Sequence, residues 1–129
     1  MIKINLLVGS RYLVDRKKIK MAAQDLLKEN KLDNVEIDVA VVGQRKMKLL
    51  NESKLKRKGA TDVLSFPMFK NKKLDNFPQP KDQLIHLGDI FISFPEAVKT
   101  AKRYGKMVDD QICFYLKHGL MHLMGYHHD

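Results

Sequence analysis

The sequence predicts a single domain of the α+β class, in which a mixed sheet of about four strands packs with about four helices. Two observations carry this prediction. The chain has 129 residues, a length typical of one domain. Apolar residues recur with a period near two in some stretches and near 3.6 in others, so both strands and helices are expected. Their order is β-α-β-α-β-β-α-α, and no repeat or linker divides residues 1–129.

The spacing of apolar side chains predicts two strands and two helices in the first half of the chain. Ile2–Val8 is expected to form the first strand. Asp15 is a suitable N-cap for a helix that extends to Glu29, along which apolar residues recur at helical spacing. Alternation over Val35–Val41 predicts a half-buried strand, and Gln44–Glu52 is expected to form a short helix.

The second half is expected to contribute two further strands and two further helices. Thr61–Phe66 and Ile85–Ser93 are read as strands, and the polar segment between them, rich in Lys and Pro, as a loop. Pro95 suits the first turn of a helix that ends at Gly105, and the last helix is expected to begin near Asp109. The order of the strands within the sheet does not follow from these local patterns.

The composition favours a polyanionic partner. Lys and Arg number 24 against 15 acidic residues, so the formal net charge is +9 and the pI is about 9.7. An excess of this size indicates nucleic acid or an anionic membrane surface as the partner. The most basic stretch supplies four candidate phosphate-binding residues, with a solvated charged turn as the alternative interpretation. They are Lys54, Lys56, Arg57 and Lys58.

Membrane insertion and export are not expected. No apolar run approaches the roughly 18 residues that span a bilayer, and the N-terminus lacks the layout of a signal peptide. We therefore expect a cytoplasmic protein. Cys113 is the single cysteine, cannot form an internal disulfide, and is read as a small core residue.

The end of the chain carries the spacing of a catalytic metal site. His118 and His122 are four residues apart, about 40° around a helix, so both rings can lean toward one point. Gly125 can take the left-handed turn that ends a helix, after which His128 can reach the same point. Three imidazoles with a fourth position open hold a catalytic zinc, and this spacing is that of metzincin peptidases. Gly119 stands where those peptidases carry their general-base Glu.

Two further polar residues carry weaker signals. His86 alternates with apolar neighbours and is expected to be structural. Ser65 lies in a predicted strand with no sign of a base beside it, so no serine nucleophile is predicted.

Three ordered motifs resemble one family. The tail His118–Asp129 is similar to the His-Gly-x-Leu-His-Leu-x-Gly-Tyr-Asp-His signature of the YbeY endoribonucleases, also called ribosomal RNA maturation factors. Leu50-Asn51 followed by Thr61–Pro67 resembles the family's Leu-Asn and Thr-Asp-Val-Leu-Ser-Phe-Pro block, and Leu87–Ile90 resembles its Leu-Gly-Asp-Ile strand. The resemblance covers nearly the whole chain.

The resemblance implies a single-strand-specific, metal-dependent endoribonuclease that acts in 16S ribosomal RNA maturation and ribosome quality control. The implied ligands are His118, His122 and His128, which would hold one Zn²⁺ per chain, with nickel or another divalent metal as an alternative. The implied partners are single-stranded RNA, ribosomal RNA and the small ribosomal subunit. Asp62 and Asp89 are candidate site carboxylates by resemblance alone. Catalytic residues beyond the metal site and the oligomeric state stay open.

The chain departs from the family pattern at three places. His127 stands where relatives carry Asp, which leaves His127 and His128 as alternatives for the third ligand. Leu55 stands at the position of a functional Arg, and the chain ends at Asp129 where relatives usually continue. Two alternatives are therefore kept: a non-catalytic RNA- or ribosome-binding factor with a structural metal, and a metallopeptidase, which Gly119 disfavours.

Overall fold

A computed structural model of the chain describes residues 1–55, 59, 61–68 and 84–125. The order of its elements is the predicted β-α-β-α-β-β-α-α. The elements are β1 (Ile2–Val8), α1 (Arg16–Glu29), β2 (Val35–Val42), α2 (Gln44–Lys54), β3 (Val63–Pro67), β4 (Ile85–Ser93), α3 (Phe94–Tyr104) and α4 (Val108–Leu123).

The four strands form one mixed sheet with the order β1-β2-β4-β3. The pairs β1–β2 and β2–β4 are parallel, and β3 runs antiparallel to β4. The predicted α+β class with a mixed sheet is therefore confirmed. The strand order puts β2 and β4 at the centre, where both are paired on two sides.

One face of the sheet carries the core. Val35, Ile37, Val39 and Val41 of β2 are buried, as their alternation with polar residues predicts, and all four belong to the core cluster. Helix α1 contacts β1, and α4 contacts β3, β4 and both α1 and α3. The helices α1 and α4 thus cover the apolar face of the sheet, and Cys113 of α4 is buried there as expected.

Side-chain and glycine caps set the helix ends. The Asp15 carboxylate accepts a hydrogen bond from the Lys18 backbone N–H at 3.1 Å, which confirms the predicted N-cap of α1. Ser93 caps α3 in the same way, and Gly105 ends that helix with a φ of 65°. Helix α4 ends at Leu123, and Gly125 follows it with a φ of 91°.

A β-bulge interrupts the register between the two central strands. Glu36 pairs with His86, whereas the next residue of β2, Ile37, pairs with Gly88, so β4 contains one extra residue at this point. Gly88 has a φ of 148°, and a Cβ added there would lie 2.4 Å from the carbonyl oxygen of Phe66. Because the extra residue reverses the alternation, His86 and Asp89 reach the same face of the sheet.

Candidate functional site

Two of the predicted metal-binding histidines, His118 and His122, lie near the C-terminal end of α4. His118 is exposed, His122 is partly buried, and the four-residue spacing places them on one side of the helix. The opposite side of α4 carries Leu116 and Leu120, which are fully buried against the sheet. His128 and its alternative His127 lie outside the described residues. The structure therefore places His118 and His122 on one side of α4, and the prediction that these residues and His128 bind a metal stays a prediction.

Close packing between α4 and the sheet explains Gly119. This glycine is buried, and a Cβ added to it would lie 3.0 Å from Cγ2 of Ile90 in β4. A Glu at position 119 would point into the packed interface between helix and sheet. The position of the metzincin general base is thus turned away from solvent in this chain, which weighs against the metallopeptidase alternative.

His122 is held by a contact with the edge strand β3. The hydroxyl oxygen of Ser65 lies within hydrogen-bond distance of Nδ1 of His122, and both side chains are partly buried. When the Nδ1–H group donates to this hydroxyl, Nε2 keeps its lone pair and is available to a metal. The two residues are 57 positions apart, and no feature of the sequence indicates the contact.

A second group of ligand-type side chains lies on the other face of the sheet. One oxygen or nitrogen atom from each of Asp38, His86 and Asp89 lies within 4.8 Å of the others, so these residues form a possible metal-binding triad compatible with a metal-dependent nuclease. Asp89 precedes Ile90, whose side chain faces Gly119 of α4, so Asp89 points away from α4. This candidate site of the sheet face is therefore separate from His118 and His122.

Hydrogen bonds organise the sheet-face triad. His86 contacts Oε1 of Glu36 through Nδ1 and Oδ1 of Asp89 through Nε2, each at 3.2 Å. Asn5 donates to Oε2 of Glu36 at 3.0 Å and to Oδ1 of Asp38 at 2.7 Å. The hydrogen bond from Asn5, supported by His86, holds the pKa of Glu36 below its usual range. His86 is thus part of a polar network, and the β-bulge places it on the same face of the sheet as Asp89.

The basic stretch begins where α2 ends. Lys54 is the exposed last residue of α2 and Leu55 is its partly buried C-cap, whereas Lys56, Arg57 and Lys58 lie outside the described residues. Asn51 is buried, and its side-chain amide donates to the carbonyl oxygen of Gly59 at 2.8 Å. This bond joins α2 to the far end of the basic stretch. The candidate phosphate contacts themselves are not tested.

Asp62 has a local structural contact. Its exposed carboxylate accepts a hydrogen bond from the backbone N–H of Val63 at 2.7 Å, at the residue where β3 begins. This contact is typical of an Asp at the start of a strand. No helix in the described part of the chain has the length and apolarity needed to cross a bilayer.

Comparisons with known proteins give one consistent result. The family model described as endoribonuclease YbeY matches residues 9–129. An endoribonuclease YbeY of Dehalococcoides mccartyi is 35% identical over 134 residues, covering 98% of this chain and 81% of the relative. One from Persephonella marina is 36% identical over 128 residues, covering 99% of this chain and 78% of the relative.

A solved structure has the same fold. The solution structure of a Thermotoga maritima protein superposes with a TM-score of 0.60 at 24% identity, covering 100% of this chain and 75% of that protein. At this identity the match speaks for the fold alone. Together with the family match, it confirms the resemblance that the three sequence motifs predict.

Proposed function

The chain belongs to the endoribonuclease YbeY family, and from this premise we propose that it is a metal-dependent endoribonuclease that cleaves single-stranded RNA at the end of α4. The observation that carries the proposal is that His118 and His122 lie on one side of this helix and that His118 is exposed to solvent. The net charge of +9 supports a polyanionic substrate.

We propose that His118, His122 and His128 hold one divalent ion. The donor set fits zinc, since imidazole nitrogen is a common zinc ligand, and it also suits nickel. When bound, such an ion would supply Lewis-acid chemistry at a phosphoryl oxygen and would lower the pKa of a bound water to about 7. The contact between Ser65 and His122 supports this assignment, because a hydrogen bond at Nδ1 leaves Nε2 of the ring as the nitrogen available to an ion.

The protein's own contribution is positioning. Helix α4 is fixed by Leu116, Leu120 and the close approach of Gly119 to β4, so the two rings are carried on a rigid element. Lys54, with Lys56, Arg57 and Lys58, is proposed to bind backbone phosphates, and the bond from Asn51 to Gly59 restrains the ends of this stretch.

For the biological role, we propose maturation of 16S ribosomal RNA and ribosome quality control in the cytoplasm. This step rests on the family alone. One observation favours a second candidate, a non-catalytic RNA-binding factor: Leu55, at the position of a functional Arg, is a partly buried C-cap and supplies no charge.

The test combines metal content with cleavage. We would purify the untagged chain, His118→Ala and Asp38→Asn, measure bound metal by mass spectrometry, and incubate each with single-stranded ribosomal RNA. We expect one metal per chain and cleavage, both lost in His118→Ala and kept in Asp38→Asn. If only Asp38→Asn loses the metal, the metal site is the sheet-face triad. If the unaltered chain binds metal but does not cleave RNA, the non-catalytic factor is favoured.

A further inference from the structure

Two exposed aromatic rings lie beside cations near the junction of α3 and α4. Phe114 is 58% exposed, and Nζ of Lys106 lies 5.5 Å from its ring centroid. Tyr104 is 63% exposed, and Cζ of Arg103 lies 5.7 Å from its ring centroid. Large exposed aromatic side chains next to cations are typical of surfaces that bind nucleic acid by stacking and charge.

The charge around these rings is predominantly positive. Residues 99–107 contain four basic side chains and no acidic one; the basic residues are Lys99, Lys102, Arg103 and Lys106. The acidic residues that follow, Asp109 and Asp110, contact α1: Asp109 accepts from the backbone N–H of Asp15 at 3.1 Å, and Asp110 pairs with Lys18 at 2.5 Å. The junction therefore keeps an excess of positive charge that complements a polyanion.

This surface leads to the proposed metal site. Phe114 precedes His118 by one turn of the same helix, which is about 6 Å along the axis and about 40° around it. Lys117, also exposed, lies next to His118 on α4. We call Lys106, Phe114 and Lys117 the α4 strip. A strand of RNA whose phosphate is cleaved beside His118 would pass over this strip within one or two nucleotides.

We propose that the α4 strip binds the single-stranded RNA that flanks the cleaved bond, with one base stacked on Phe114 and backbone phosphates at Lys106 and Lys117. The proposal rests on the proposed function, because it names further substrate contacts of the same site. Stacking needs only the π face that every base has, so the strip contributes affinity with little sequence preference.

The experiment measures binding separately from cleavage. Fluorescence anisotropy with a 2′-O-methyl single-stranded RNA is carried out with the metal-loaded protein over a range of salt concentrations, and a gel after each titration checks that the RNA is intact. Phe114→Leu keeps an apolar side chain without a π face and is expected to raise the Kd about tenfold. Phe114→Trp is expected to bind as tightly as the unaltered chain.

The lysines are tested by the salt dependence of binding. Lys106→Gln and Lys117→Gln are each expected to reduce the slope of log K against log salt by about 0.7, the value for one phosphate contact on a single strand. Lys20→Gln and Lys28→Gln are the matched controls, since both are exposed on α1 and line clefts beside β1. These control variants are expected to change the slope by clearly less than the Lys106→Gln and Lys117→Gln variants do. Thermal melting checks that each variant is folded.

The outcomes separate this inference from the proposed function. Phe114→Leu binding with unchanged affinity, in a chain that cleaves RNA, would overturn the α4 strip and leave the nuclease standing. Stacking-dependent binding in a chain that does not cleave would support the strip and overturn the nuclease. Equal losses in the α1 controls would also overturn the strip, because they would show a diffuse charge effect.

Discussion

Replacing Ser65 by Ala should weaken metal binding without unfolding the protein. The hydroxyl is the partner of Nδ1 of His122 across the interface between β3 and α4. Removing such an outer partner of a metal-binding His typically lowers metal affinity by about 10- to 100-fold, or roughly 1.4–2.7 kcal/mol. The side chain shrinks by one oxygen and Ser65 is only partly buried, so the effect on folding should be much smaller.

The assay is competition for zinc between the protein and a chromogenic chelator at fixed pH. Ser53→Ala is the matched control, because the Ser53 hydroxyl donates to the Leu49 carbonyl oxygen on the exposed surface of α2. His122→Ala gives the limit for loss of a ligand. We expect the Ser65→Ala affinity to lie between the affinities of the unaltered chain and of His122→Ala.

Two results would refute the reasoning. If Ser65→Ala binds zinc as tightly as Ser53→Ala while His122→Ala does not, the hydroxyl does not orient the ring. If none of the three variants changes zinc affinity, His122 is not a ligand, and the site proposed at the end of α4 is wrong.

Three further predictions follow from local geometry. Gly88→Ala should lower the free energy of unfolding by roughly 2–4 kcal/mol, because a Cβ at this φ of 148° meets the Phe66 carbonyl oxygen. Urea unfolding measures this change, and an unchanged urea midpoint would contradict the described backbone of the β-bulge at Gly88. Since Asn5 lowers the pKa of Glu36, the stability that this carboxylate contributes is present above its unfolded-state pKa and lost as the pH falls through its folded-state pKa. Asn5→Ala removes this hydrogen bond and should raise the Glu36 pKa, which NMR measures. An unchanged midpoint of the Glu36 titration would count against the hydrogen bond. Burial raises the pKa of the Cys113 thiol, so alkylation at pH 8 should be slow until urea unfolds the chain, and rapid labelling of the native protein would contradict this placement.

The element boundaries show how far local patterns reach. Ile2–Val8 and Ile85–Ser93 are strands as predicted, and the helix capped by Asp15 extends to Glu29 as expected. Helix α2 continues to Lys54, two residues beyond the prediction, and β3 begins at Val63 because the Asp62 side chain takes the N–H at its start. These differences are confined to element ends, where a single side-chain bond decides between helix, strand and turn.

The sequence by itself determined the features that depend on neighbours in the chain. Alternation, helical period and caps identify the elements, since each reports the geometry of a few consecutive residues. The pair His118 and His122 belongs to the same class, because the helix alone places residues four apart on one side.

Only the tertiary structure decided which distant residues meet. The contact between Ser65 and His122 depends on how α4 crosses β3, and the triad of Asp38, His86 and Asp89 depends on strand pairing and on one bulge. A one-residue shift of register moves a side chain to the other face of a sheet, and local periodicity does not contain that information.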